Sequence, residues 1–292
     1  MPLATPPEVH REQCIAAFEH GRHVLCEKPL AEELDEANDI VRHAEQHGVH
    51  LMVGMNFRYL PASQALRRMV LERRFGDLGY GHFSYLRHRD GRRTDLNDYP
   101  LIMEQPMLLE QSIHHLDLMR YCYAAEVVSV SADTWRPSWS TYADDCCVSA
   151  LMRFDNGMHV NYIGTWTSGW NRFGFEWRTD CSGGVIIQQS QFDDLYTAKL
   201  KPGLATEGRR FKTPNEAEPL EPVALEATED FVDDTRGLLN EFIDSLESGE
   251  PLITSGQDHL KTLGLVFACI EAAETGRRVE MPAFLQRRGI ST

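Results

Sequence analysis

The sequence lacks the features that mark several specialised classes of protein. No uninterrupted apolar run approaches the roughly 18 residues of a membrane-spanning helix, and the N-terminus MPLATPPEVH has no apolar signal core. Positive charge is scarce, because 29 lysines and arginines stand against 44 aspartates and glutamates, a formal net charge of -15. These absences argue against a membrane span, a secretory signal and a surface that binds nucleic-acid phosphates.

Cysteine pairs of the CxxC type are missing as well. The chain has seven cysteines, an odd number, and the adjacent Cys146 and Cys147 are expected to point to opposite faces of a strand. This usage favours free, mostly buried thiols in a reducing compartment over a disulfide framework. We therefore expect a cytoplasmic protein that has neither a membrane nor a nucleic acid as its partner.

The composition is that of an ordinary globular protein of one large or two modest domains. Of the 292 residues, 42% are apolar and 25% are charged. In the N-terminal part, two short apolar runs alternate with three segments of helical pattern. The runs are 23–27 and 49–55, and the helical segments are 7–20, 31–47 and 61–74. Strands that are apolar on both faces and separated by helices predict a parallel sheet.

The pattern changes after about residue 76. A helix is expected at about 102–123, followed by six or so strand-like segments that are separated by short turns such as 155–157 and 181–184. Residues 201–228 are predicted to form a loop. Two helices close the chain, at about 229–248 and 256–275. The sequence therefore predicts an α/β unit that is followed by an α+β domain with a large open, mainly antiparallel sheet.

Three segments carry a resemblance to a known family: ATPPEVH at 4–10, HVLCEKPLA at 23–31 and LLEQSIHHLDLMRY at 108–121. Together with the C-terminal TSGQDHLKTLGLVFACIEAAETGRRVEMP, they resemble the Gfo/Idh/MocA oxidoreductases, which include glucose-fructose oxidoreductase and inositol dehydrogenase. The resemblance implies an incomplete Rossmann-type dinucleotide-binding domain over 1–76 and a substrate and oligomerisation domain over 77–292. It also implies NAD or NADP as cofactor, a carbohydrate-like substrate, and a homodimer or homotetramer formed through the large sheet.

The family's phosphate-binding turn has no counterpart in these 292 residues. Family members open with a strand, a GxGxxG turn and a helix, and that turn holds the dinucleotide phosphates at the helix N-terminus. No GxGxxG occurs here, and ATPPEVH corresponds to the family's fourth strand and the turn after it. About 60–70 residues, two β-α units, are therefore not represented. We expect severely reduced dinucleotide affinity, and the residue that distinguishes NAD from NADP is not identifiable.

The chemistry of alcohol oxidation suits three residues of the shared segments. The hydroxyl proton must be removed as hydride leaves carbon, which suits a histidine base, and an ammonium stabilises the developing alkoxide. The resemblance assigns these two roles to His114 and Lys28. Glu110 lies four residues before His114, so we expect it to share one helical face and to hold the imidazole. The family more often has aspartate at this position and glycine at Ser112.

Further contacts are implied by the resemblance. The expected cofactor contacts are Thr5, Pro6, His10, Glu27, Lys28, Asn56 and Arg58, and ordinary loop hydrogen bonding is an equal alternative for Asn56 and Arg58. The expected substrate contacts are Lys28, His114, His115 and Asp117. Helix packing is the favoured alternative for His115, and a plain helix-face carboxylate is an equal alternative for Asp117. No second His or Cys motif completes a zinc ligand set around this cluster, so no metal site is predicted.

Three functions are open at this point. The leading one is an NAD(P)-dependent oxidoreductase that transfers hydride between nicotinamide and the hydroxyl of a sugar, polyol or sugar acid. The second is a sugar-binding or scaffold protein without redox chemistry. The third is a glycosidase that is assisted by bound NAD. The presence of both Lys28 and His114 favours the first.

Overall fold

The smaller of two sheets is formed by the N-terminal strands. The computed structural model of the chain describes residues 1–89, 99–200 and 218–290. Three parallel strands lie in the order β1–β2–β3, with bounds β1 Pro2–Leu3, β2 Val24–Cys26 and β3 Leu51–Val53. Every residue of β2 and β3 is buried, as expected for apolar strands that are covered on both faces. The predicted parallel α/β unit is confirmed.

Three helices accompany this sheet: α1 (His10–Glu19), α2 (Leu34–Gln46) and α3 (Pro61–Leu71). Proline at the start of α3 is tolerated because the first turn of a helix needs no N–H donor. In α2 the residues with helical spacing are the buried ones, as predicted. They are Leu34, Ala37, Ile40, Val41 and Ala44.

The larger sheet has nine strands in the order β11–β10–β9–β8–β4–β7–β6–β5–β12. All neighbouring pairs are antiparallel except β4 and β7, which are parallel, so the predicted mainly antiparallel sheet is confirmed. The bounds are β4 Leu78–Leu86, β5 Val127–Trp135, β6 Cys147–Phe154, β7 His159–Thr165, β8 Gly174–Cys181, β9 Gly184–Gln188, β10 Tyr196–Lys199, β11 Glu221–Pro222 and β12 Val279–Glu280.

The helix that was predicted at 102–123 begins later and in a different form. A π-helical turn, Met107–Ser112, leads into α4, Ile113–Tyr123. Pro106 disfavours an α-helical residue before it, and Gln105 has a φ of 47°. All eleven residues of α4 are buried, so this helix lies inside the protein against the large sheet.

The C-terminal helices connect the two sheets. They are α5 (Asp233–Ser248), α6 (Gly256–Thr275) and a short α7 (Met281–Arg287), which the sequence pattern did not reveal. Leu238 and Phe242 of α5 pack on Leu25 and Met52 of the small sheet. The chain thus returns from the large sheet to cover the small one. The division into two domains at residue 76 stays a prediction.

The cysteines agree with one expectation from the sequence and differ from another. All seven cysteines are free, as predicted, and only Cys181 is not fully buried. The side chains of Cys146 and Cys147 do not diverge, since both sulfurs approach the Thr167 hydroxyl, at 3.9 and 3.1 Å; Cys146 precedes the first residue of β6, where alternation begins.

Among the described helices, none is long and apolar enough to cross a membrane. Most of the loop predicted at 201–228 lies outside the described residues.

A buried ion-pair network joins β3, α4 and α6. Arg58, in the turn that follows β3, donates to both carboxylate oxygens of Asp117, at 2.7 and 2.5 Å, and to Asp258 at 2.5 Å. Arg120 donates to Asp258 at 3.0 Å, and Thr262 donates to Asp117 at 2.9 Å. Burial alone would raise the pKa of Asp258, but the charges of Arg120 and Arg58 lower it. The network therefore contains ionised groups that satisfy one another.

This network predicts which carboxylate the fold depends on. Asp117→Asn leaves the buried Arg58 guanidinium without its bidentate partner, so we expect the free energy of unfolding to fall by about 3–5 kcal/mol in urea denaturation. The control is Asp180→Asn, which breaks the partly exposed pair with Arg178 and should cost less than about 1 kcal/mol. Equal, small losses in both variants would contradict a structural role for Asp117.

Candidate active site

A cavity of about 820 Å³ opens where the small sheet meets the large one. Glu27 and Lys28 follow β2, and Asn56 follows β3, and all three side chains line this cavity. The carboxyl ends of parallel strands are where α/β sheets bind ligands. The opposite wall includes Glu110 and His114 from the segment around α4. The structure thus brings together five of the residues that the sequence singled out.

An ion pair between Lys28 and Glu110 lies in the lining of the cavity. The Lys28 Nζ donates to Glu110 Oε2 and to the Glu110 backbone oxygen, both at 3.0 Å. The two side chains are only 14% and 13% exposed. The second carboxylate oxygen of Glu110 accepts a hydrogen bond from the Tyr99 hydroxyl. An ammonium has three N–H groups, so one of them is left for a ligand in the cavity.

The His114 ring is positioned by stacking. Its ring lies against Phe57, with centroids 4.3 Å apart and an interplanar angle of 24°. Its Nδ1 is buried and has no hydrogen-bond partner among the described residues. Burial lowers the pKa of His114 well below its ordinary value of 6.5, and the positive charge of Lys28 lowers it further, with smaller effects from His115 and His259. The imidazole is therefore neutral near pH 7 and is able to accept a proton.

The expectation that Glu110 holds the His114 imidazole is wrong. Both carboxylate oxygens of Glu110 are occupied, by Lys28 and by Tyr99. The physical reason is the π-helical turn that contains Glu110, in which hydrogen bonds run from residue i to i+5. Residues four apart no longer lie above one another on such a turn, so Glu110 is directed to Lys28 instead. Glu110 fixes the ammonium, not the imidazole.

Arg58 and Asp117 do not line the cavity. Arg58 was expected to contact a cofactor and Asp117 a substrate, but both are consumed by the buried network described above. They are 3% and 1% exposed. Both expectations are corrected by that geometry: a bidentate guanidinium–carboxylate pair leaves neither group free for a ligand.

His115 is also excluded from the cavity lining, as the favoured packing alternative predicted. It is fully buried, and burial lowers its pKa to about 3, so the ring is neutral. Its Nδ1 lies 2.9 Å from the Tyr162 hydroxyl, and its Nε2 lies 3.1 Å from the amide nitrogen of Gln111. His115 therefore touches no ligand in the cavity but orients the Gln111 side chain, which lines it.

The remaining expected cofactor contacts lie at the carboxyl ends of β1, β2 and β3. His10 is fully buried, with its ring nitrogens 2.8 Å from the Thr5 carbonyl and 3.1 Å from the Pro29 carbonyl, so it joins the loops after β1 and β2. This geometry makes His10 a support for those loops and corrects its assignment as a direct contact. Thr5 is partly buried and donates to Gln13, and Pro6 is exposed.

Asn56 and Glu27 face the cavity. Asn56 donates to Asp234 of α5 at 2.5 Å, which ties the cavity wall to that helix. A side-chain carbon on Gly54 would lie 3.3 Å from Glu27 Oε2, so the chain leaving β3 passes directly beside this carboxylate. The wall on this side is therefore polar and closely packed.

Four residues of the site escaped the sequence reasoning: Tyr99, Gln111, Arg87 and Arg89. For the two arginines a signal was present, because they are two residues apart directly after β4, and side chains two apart on an extended chain share a face. No periodic relation connects Tyr99 with Glu110, eleven residues later. That contact depends on the path of the chain before the π-helical turn.

Two family models match this chain. Residues 2–55 match the model of an oxidoreductase family with an NAD-binding Rossmann fold, and residues 63–187 match the model of the Gfo/Idh/MocA C-terminal domain. D-apiose dehydrogenase of Rhizobium rhizogenes is 28% identical over 291 residues, which cover 97% of this chain and 79% of that protein. 1,5-anhydro-D-fructose reductase of Ensifer adhaerens is 27% identical over 289 residues, 96% and 78% of the two chains.

A solved structure shows the same fold. It is an oxidoreductase from Agrobacterium radiobacter in complex with NAD+, L-tartaric acid and magnesium, with a TM-score of 0.79 at 24% identity, and the match covers 97% of this chain and 80% of that chain. The predicted combination of a Rossmann-type sheet with a large open sheet is thereby confirmed. Residues 2–55 and 63–187 match models of one family, and related proteins are named dehydrogenases and reductases. The chain belongs to the Gfo/Idh/MocA family of NAD-dependent oxidoreductases.

Proposed function

We propose that this protein is an NAD(P)-dependent dehydrogenase that acts on a hydroxyl group of a sugar, polyol or sugar acid. The observation that carries the proposal is that Lys28, Glu110 and His114 line one cavity at the carboxyl end of the small sheet. An ammonium with a free N–H and a neutral imidazole on the same cavity are the two groups that alcohol oxidation requires. The relatives named for D-apiose and 1,5-anhydro-D-fructose support a carbohydrate-like substrate.

The cavity fits the nicotinamide end of the cofactor. The polar side chains Glu27 and Asn56 stand at the carboxyl ends of β2 and β3, next to Lys28, and glycine at position 54 has no side chain to crowd the Glu27 carboxylate. These residues would hold the nicotinamide side, with Thr5 and Pro6 at the end of β1 beyond them. When bound, NAD or NADP supplies an acceptor for the hydride that leaves the substrate carbon.

Lys28 has the task of binding the reacting oxygen. Two of its N–H groups are taken by the Glu110 carboxylate and the Glu110 carbonyl, which fix the ammonium in place. The third can donate to the substrate hydroxyl, and the positive charge stabilises the oxygen as its proton leaves. Tyr99 holds Glu110 from the other side, so the ammonium is positioned before the substrate arrives.

His114 has the task of taking the hydroxyl proton. Its lowered pKa makes the unprotonated form dominant above that pKa, and therefore throughout the neutral range.

The rate of alcohol oxidation should accordingly show no inflection near pH 6.5 and should fall only in more acidic solution, where His114 becomes protonated. In the direction of ketone reduction the same residue must carry a proton, so that reaction should be favoured by acid.

The charge of Lys28 should be visible in the titration of His114. Lys28→Met removes one cause of the lowered pKa, so the pKa of His114 should rise, while remaining below 6.5 because burial is the larger cause. Two-dimensional NMR of the histidine ring resonances over a pH series measures this shift. The control is Lys261→Met, at a surface pair with Glu126 outside the cavity, which should leave the His114 titration unchanged. An unchanged titration in Lys28→Met would show that the two groups do not share the cavity.

Activity assays test the proposed function itself. Reduced nicotinamide is followed with sugars, polyols and sugar acids while NAD or NADP is raised until the rate no longer increases. We expect Lys28→Met and His114→Ala each to lower kcat/KM by roughly 10²–10⁴-fold, the range for a lost acid–base or electrostatic contribution, and Lys261→Met to have no effect. Turnover that persists in both cavity variants would overturn the proposal.

A further inference from the structure

We propose that the substrate carries a carboxylate, and that Arg87 and Arg89 bind it at the end of β4. This inference rests on the proposed function and narrows its substrate to a sugar acid. Both side chains line the cavity and both are partly buried. The backbone N–H groups of Arg87 and Arg89, which directly follow β4, donate to the carbonyl oxygens of Thr165 at 3.0 Å and Trp166 at 2.9 Å. Both residues are thereby held beside the end of β7, where their side chains line the same cavity.

Neither guanidinium has a carboxylate partner in the described part of the chain. Arg87 is 3.4 Å from the Tyr85 hydroxyl, and Arg89 stacks over the Trp166 ring at 4.3 Å. The buried Arg58 and Arg120, in contrast, each contact more than one carboxylate. A partly buried cation without a counter-ion is costly, and an arginine fork matches the two oxygens of a carboxylate. No described carboxylate has this role for Arg87 or Arg89, so an anionic ligand in the cavity would meet two arginines that are able to bind it.

The acidic side chains of the cavity stand elsewhere. Glu110 is paired with Lys28, and Glu27 accepts the backbone N–H of Lys28 at 3.3 Å. Asp193, the third, faces Ser190 in the segment after β9. None of them forms an ion pair with Arg87 or Arg89 within the residues that the structure describes. Within residues 1–89, 99–200 and 218–290, positive charge at the end of β4 is thus left without a carboxylate partner.

The arginines connect to the reacting end of the cavity through two side chains. Tyr85 donates to the Gln111 amide oxygen at 3.1 Å, and Gln111 is held from behind by His115 at 3.1 Å. Gln111 is the chain neighbour of Glu110, which holds Lys28. One small molecule can therefore place a hydroxyl at Lys28 and an acid group at Arg87 and Arg89. A uronic or aldonic acid has this combination, whereas a neutral sugar leaves both arginines unpaired.

The test compares matched substrates that differ only at the acid group. With glucuronate against glucose, and galacturonate against galactose, the wild-type chain should favour the acids by at least about tenfold in kcat/KM. Arg87→Gln and Arg89→Gln keep the length of the side chain and remove its charge, and each should lower the acid-to-sugar ratio by about tenfold to a hundredfold. Arg153→Gln, at an exposed arginine of β6, should leave the ratio unchanged.

A binding measurement separates this inference from the proposed function. Calorimetry with the same acids should show weaker binding in Arg87→Gln and Arg89→Gln than in the wild type and Arg153→Gln, with folding checked by thermal unfolding. Loss of acid binding in a chain that oxidises none of the compounds would support the anion site and overturn the dehydrogenase proposal. Equal turnover of acids and neutral sugars in all variants would overturn the anion site alone. Sugar phosphates are measured beside the acids. If they bind more tightly than the acids, the assignment of a carboxylate as the ligand of Arg87 and Arg89 is overturned.

Discussion

The ion pair between Lys28 and Glu110 is the contact on which the site depends. It joins the end of β2 in the small sheet to the π-helical turn that precedes α4, and so connects the two halves of the cavity wall. Because Glu110 also receives the Tyr99 hydroxyl, the ammonium is fixed from two directions. The same charge contributes to keeping His114 neutral. This contact therefore positions the ammonium that stabilises the reacting oxygen, and the charge of Lys28 adds to the larger effect of burial in keeping the base unprotonated.

The buried network around Arg58 is the structural counterpart of this site. It ties the turn after β3 to α6 and to α4, the helix that presents His114. Its charges are mutually satisfied, whereas no described carboxylate pairs with the arginines at the cavity end of β4. Arginines carry the charge in both places. The network around Arg58 stabilises the fold, whereas we propose that Arg87 and Arg89 bind a ligand.

The elements that repeat with a regular period were predictable from the sequence. The burial pattern of α2 and the apolar strands β2 and β3 follow directly from spacing, and the grouping of Lys28 with His114 followed from the family resemblance. The roles of Glu110, Arg58 and Asp117 could not be predicted in the same way. Spacing on a helix assumes an α-helix, and a π-helical turn redirects Glu110, while the partners of Arg58 lie 59 and 200 residues away along the chain. Such pairings depend on tertiary structure alone.

The central claim is that a substrate hydrogen passes directly to nicotinamide in the cavity that contains Lys28 and His114. Its most direct test uses a substrate that carries deuterium on the carbon of the reacting hydroxyl, with the product nicotinamide analysed by mass spectrometry. We predict that the reduced nicotinamide gains one deuterium, that the oxidation shows a primary isotope effect, and that His114→Ala transfers deuterium at a strongly reduced rate. Deuterium released to water, or bound substrate that is never oxidised, would contradict the account.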